Sequence, residues 1–132
     1  MSSTQAGQAG AARAGTAVAD LKLEVIVLPV ADVARSKRFY EGLGWRVDAD
    51  FTHGDDWRVV QMTPPGSPCS VMFGKGLTNA EPGSTKGTFL VVNDVEAARA
   101  ELIENGVEVS DVFHFQDNLL SVTGTKSRLE GL

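Results

Sequence analysis

A pattern in the sequence repeats at a spacing of 62 residues, and this repeat limits the possible folds more than any other feature. The shift carries Leu28 onto Leu90, Val30 onto Val92, Asp32-Val33 onto Asp94-Val95, Gly44 onto Gly106, Val47 onto Val109 and Phe51 onto Phe113. The matched residues are of three mechanical kinds. Aspartate accepts the free amide protons of a helix start, glycine permits the left-handed stop at its end, and branched or aromatic side chains fill a strand–helix interface. The chain therefore reads as two copies of one supersecondary unit.

The unit is legible in its first copy. LKLEVIVLPV, Leu21 to Val30, is β-branched and apolar on both sides, which predicts a strand buried on both faces that loosens near Pro29. Asp32 predicts an N-cap, and Val33, Phe39, Tyr40 and Leu43 recur at helical spacing until Gly42 and Gly44. Three strands follow, Trp45 to Phe51, Trp57 to Met62 and Cys69 to Phe73, parted by turns at His53-Gly54-Asp55-Asp56 and Pro64-Pro65-Gly66. The order is β-α-β-β-β.

The second copy predicts a strand at Thr88 to Val92, a helix at Asp94 to Asn105 and a strand at Val107 to Phe115. Beyond it, Leu119 to Val122 alone has strand character, and Thr123 to Leu132 lacks apolar alternation. The expected fold is thus α+β, two tandem β-α-β-β-β modules forming a curved mixed-sheet cleft, the second module incomplete through truncation or an altered reading frame. Such a half-barrel leaves an open sheet edge, to be covered by a partner chain, by the N-terminal tail or by strand exchange, so a homodimer, strand-swapped in one version, is expected. The domain organisation is a flexible Ala/Gly-rich tail over 1–20, with a short Ala-rich helix as the alternative, and one domain over 21–132. Within it, module one is 21–74, a linker 75–86 and module two 87–132.

Composition narrows the function classes. A chain of 132 residues with 42% hydrophobic and 22% charged residues supports one core. A net charge of −5 argues against a nucleic-acid partner, which demands clustered cations. A single cysteine, Cys69, makes no internal disulfide and reads as a packing residue in a reducing cytosol. No apolar run reaches the roughly 18 to 20 residues that span a bilayer, and Met1 to Asp20 lacks the form of a signal peptide, so a cytoplasmic protein is expected. No Gly-x-Ser-x-Gly motif is present, and Gly74-Lys75-Gly76 reads as a turn rather than a phosphate loop.

The run Pro29-Val30-Ala31-Asp32-Val33-Ala34-Arg35-Ser36-Lys37-Arg38-Phe39-Tyr40-Glu41-Gly42-Leu43-Gly44-Trp45, echoed by Val91-Val92-Asn93-Asp94-Val95-Glu96-Ala97-Ala98-Arg99, resembles the vicinal oxygen chelate superfamily of glyoxalase, bleomycin-resistance and dioxygenase-like proteins. The resemblance covers about Leu21 to Phe115. It implies a cleft in which His, Gln or Glu on the first and last strands of each module hold a divalent ion. The first of these positions, seven residues before the capping aspartate, is Val25 in one copy and Gly87 in the other, and the last-strand position of module one is Met72. The fourth belongs to a strand that the sequence does not show. Neither valine nor glycine ligates, and a thioether is a poor partner for hard ions, so no metal and no cofactor are expected.

The expected function is that of a metal-free binder of a small organic molecule, through a cleft lined by Trp45, Trp57, Arg58, Gln61, Met72, Phe89 and Phe115. The alternative is a superfamily lyase, isomerase or dioxygenase with a divalent metal at non-standard positions, His53, His114 or Asp56. His53 and His114 are the two histidines, 61 residues apart, and the weak candidates for a catalytic base; both also read as loop residues beside turns. A third possibility is a degenerate relative whose surviving role is assembly.

Overall fold

A computed structural model describes residues 19–116 and 120–123, with side chains up to residue 113. The elements of the first half are β1 (Val25–Val27), α1 (Val33–Gly42), β2 (Arg46–His53), β3 (Trp57–Thr63) and β4 (Ser70–Lys75). They form one mixed sheet in the order β1-β4-β3-β2, β1 running parallel to β4 and the other pairs antiparallel. The predicted β-α-β-β-β order is present here.

Local chemistry sets the limits of α1. Asp32 sits in extended backbone and its carboxylate accepts the Arg35 N–H at 3.0 Å, satisfying an amide that the first helical turn leaves free. At the other end Gly44 takes φ 84°, a conformation that costs a side chain energy, and its N–H returns to the Glu41 carbonyl at 2.9 Å.

Strand alternation divides the sheet into two faces. Val60, Met62, Val71 and Phe73 point under α1 and form the buried core, with Ile26, Leu28, Val33, Tyr40 and Val47 packed around them. Tyr40 anchors the helix: its ring stacks on Trp45 at 4.5 Å and lies 5.8 Å from Phe73. The intervening positions, among them Val25, Val27, Phe51, Trp57, Gln61 and Met72, belong to the opposite, open face. Gly74 lets β3 and β4 approach, since a Cβ there would stand 1.8 Å from the Arg58 carbonyl oxygen.

Two expectations about β1 are corrected. The strand covers Val25–Val27 instead of Leu21 to Val30, with single bonds at each end, Ser70 N–H to Glu24 O and Leu28 N–H to Met72 O. It is also covered on one face only, and Val27, Leu21 and Leu23 are exposed. An apolar run becomes a doubly buried strand only where a second layer lies over it, and among the described residues none does.

The second half holds α2 (Val95–Glu104), β5 (Phe113–Gln116) and β6 (Leu120–Thr123), the last two a separate antiparallel hairpin. α2 repeats the cap of α1 closely, with Asp94 accepting the Ala97 N–H at 3.0 Å. The predicted strand Thr88 to Val92 is not formed. The segment belongs to no ladder, and Val91 is 96% exposed. Its counterpart β1 is held by β4, and the described residues place no equivalent of β4 beside it, so its backbone has nothing to pair with. Likewise, of the predicted strand Val107 to Phe115, only the end from Phe113 is one. The architecture of the described residues is therefore α+β, a four-stranded mixed sheet with two helices and a detached hairpin. The tail over 1–18 and the last nine residues lie outside the described residues. Among those described, no helix is long and apolar enough to cross a membrane.

Candidate functional site

The sequence-predicted site residues separate into three groups. Trp57, Gln61 and Met72 share the open face of the sheet, Gln61 and Met72 as direct cross-strand partners and Trp57 on the same side of β3. Around them stand Val25 and Val27 on β1 and Phe51 on β2, so this face is apolar around the Gln61 amide, with the hydroxyls of Thr63 and Ser70 farther along the same strands. It is exposed at Phe51, 62%, and Trp57, 38%, while Val59 beside them is buried.

Trp45 and Phe89 lie elsewhere. They line a cavity of about 540 Å³ between α1, the free edge of β1 and the coil at 83–90, together with Phe39, Tyr40, Leu90 and Cys69. Burial pushes the Tyr40 hydroxyl above its usual value.

Arg58 stands apart from both groups, a departure from the expected cleft. Three residues from Gln61 on one strand, it takes the opposite face, under α1. There Nε donates to Asp50 Oδ1 at 2.9 Å and a terminal nitrogen to Oδ2 at 2.8 Å, while Lys37 Nζ donates to Oδ2 at 2.9 Å. The Arg58 fork, aided by Lys37, holds the Asp50 carboxyl down at about 2. Arg58 also borders a second cavity of about 740 Å³ between the loops at 29–34 and 74–82.

The histidine candidates are not brought together by any described geometry. His53 is exposed at the end of β2, opposite Trp57, beside the Gly54–Asp56 turn. The side chains of His114 and Phe115 lie outside those described. Among the described residues no three His, Cys, Asp or Glu side chains group so as to hold a metal ion, and Asp56 stays in its turn.

One polar group escaped the sequence reading. Asp48, at the bulge in β2, accepts from Arg46 Nε at 2.6 Å and from the Thr63 hydroxyl, and Thr63 Oγ1 lies 2.7 Å from Ser70 Oγ. The Thr63 hydroxyl, and after it Arg46, keep the Asp48 carboxyl below the usual carboxylate range. Thr63 and Ser70 flank the Pro64-Pro65-Gly66 turn, and the signal was their symmetric placement on facing strands. Nothing in a linear pattern identifies the bulge that swings Asp48 toward them.

Residues 22–118 match the profile of the glyoxalase/bleomycin resistance protein/dioxygenase superfamily. The chain belongs to this superfamily. Solved structures agree with the assignment. A glyoxalase/bleomycin resistance protein from Streptomyces sp. CB03234 is 33% identical with a TM-score of 0.57, over 66% of this chain and 76% of that one. TnmS3, an antibiotic binding protein from the same organism, is 32% identical with a TM-score of 0.60, over 70% and 76%. A superfamily member from Sphaerobacter thermophilus DSM 20745 shares the fold at 23% identity, TM-score 0.63, over 77% and 85%. No curated protein matches the sequence.

Membership raises the question of the divalent ion. On this superfamily member the two first-module positions, Val25 and Met72, share the open face of adjacent strands, where ligands would have to stand. Gly87, the corresponding second-module position, lies in coil at φ 79°. An alkyl group, a thioether and a hydrogen do not fit a hard-ion site.

Proposed function

We propose that this glyoxalase/bleomycin resistance superfamily protein is a metal-free binding protein for a flat, largely apolar organic molecule. The observation that carries the reading is the content of the open face. Val25 and Met72 stand at the metal-holding positions, within a surface that Val27, Phe51 and Trp57 make apolar and that is polar at Gln61 and Ser70. Aromatic and thioether groups supply polarisable contact area for a planar ligand, and one amide orients it. The 32% identity to TnmS3, described as antibiotic binding, supports the same class of role.

One sheet face is half a cleft. A second copy of the chain supplies the opposite wall, with the exposed apolar segment Phe89 to Val92 exchanged between protomers beside the free edge of β1. The test is titration of the purified protein with flat aromatic compounds, followed by isothermal titration calorimetry, with and without a chelator. Binding that persists in chelator and weakens about tenfold or more in Trp57→Ala and Met72→Ala is expected. Binding that requires an added divalent ion overturns the reading and favours a metal-dependent superfamily enzyme.

A further inference from the structure

The polar string Asp48, Thr63 and Ser70 has a direction that its proton count settles. Asp48 is ionised at neutral pH and only accepts, so the single hydroxyl proton of Thr63 is committed to it. Thr63 Oγ1 is then an acceptor toward Ser70, and the single proton of Ser70 is committed to Thr63. Ser70 Oγ is left with lone pairs and no proton to give. Its residue is 8% exposed and that of Thr63 4%, so water does little to blur this polarity.

Position adds the second half of the argument. Ser70 is the register partner of Val25 across the parallel β1–β4 pair and lies two residues from Met72, on the open face by the pleat, and its residue also borders the cavity of about 540 Å³. Its backbone N–H is tied to Glu24 O at 2.8 Å, which fixes the residue beside the place where other superfamily members hold an ion. We infer that Ser70 Oγ is a hydrogen-bond acceptor for the bound molecule, selecting aromatic ligands that present an O–H or N–H over those that present none. The inference rests on the open face being the ligand surface, as proposed above.

The experiment compares 2-naphthol with 2-methoxynaphthalene, equal in shape at the ring but with and without a donor, on the full chain and its Ser70→Ala and Asp48→Asn variants. The wild-type protein is expected to prefer 2-naphthol by roughly tenfold. Ser70→Ala removes the preference while the ether binds as before. Asp48→Asn places an amide donor beside Thr63, frees its proton for Ser70 and that of Ser70 for the ligand, and so lowers the preference without removing any group from the open face. Ether binding and thermal unfolding report folding for each variant. Should Ser70→Ala fail to fold, Asp48→Asn alone decides. Equal binding of both probes to the wild type, or a preference retained in Ser70→Ala or in Asp48→Asn, overturns the inference and leaves the proposed function standing. Failure of both probes to bind overturns the two together.

Discussion

Asp50 is where a single residue couples the sheet to its helix. It joins Arg58 on β3 and Lys37 on α1, the three side chains being about one quarter exposed, so solvent screens the pairing only in part. Removing the charge in Asp50→Asn is expected to cost about 1 to 2 kcal/mol at neutral pH, read by urea unfolding. The sign of the pH dependence follows from the depressed carboxyl. The Asp50 contribution is complete above about pH 4, the range of an unfolded aspartate, and fades as the pH falls through about 2. The stability gap between wild type and variant is therefore expected to close between those limits; a gap unchanged at pH 2 would show that the ion pairs contribute nothing.

The two helices carry near-identical caps in different settings. α1 seats Val33 and Tyr40 against the buried core, whereas no residue of α2 belongs to that core, and Arg99 of α2 bonds the Ser110 carbonyl at 2.8 Å and reaches Asp111 at 3.3 Å. Loss of a cap should register differently in each. Asp32→Ala is expected to lower global stability by about 1 kcal/mol. Asp94→Ala is expected to leave the main unfolding midpoint unchanged and to speed amide hydrogen exchange within Val95–Glu104. Equal shifts of the global midpoint by both would show that α2 is packed as firmly as α1.

For the whole molecule, the decisive feature is the apolar surface that the described residues leave exposed. The open face of the sheet and the unpaired segment Phe89 to Val92 are both of a kind that folded monomers seldom leave to solvent. The proposed second copy covers them. Native mass measurement is expected to give a dimer, and Val91→Asp, which puts a charge into the exchanged segment, is expected to shift it to monomer. A monomeric wild-type protein at micromolar concentration would remove the opposite wall of the cleft.

Much of this was written locally. Caps at Asp32 and Asp94, the stops at Gly44 and Gly106, and the strands either side of the Gly54 and Pro64-Pro65 turns depend on neighbours a few residues away, and a linear reading finds them. The superfamily follows from the same local register. What the sequence left open depends on groups far apart in the chain. Thr88 to Val92 has strand composition and is no strand, because a strand exists only with a partner for its backbone. Arg58 and Gln61 are both expected in the cleft from the sequence and lie on opposite faces, because the pleat separates them and Asp50 claims the arginine. The Asp48–Thr63–Ser70 string required a bulge and two ladders to assemble. Short-range chemistry thus determined the elements and their ends, and the tertiary structure alone decided which side chains share a face, because that depends on pairing across the sheet.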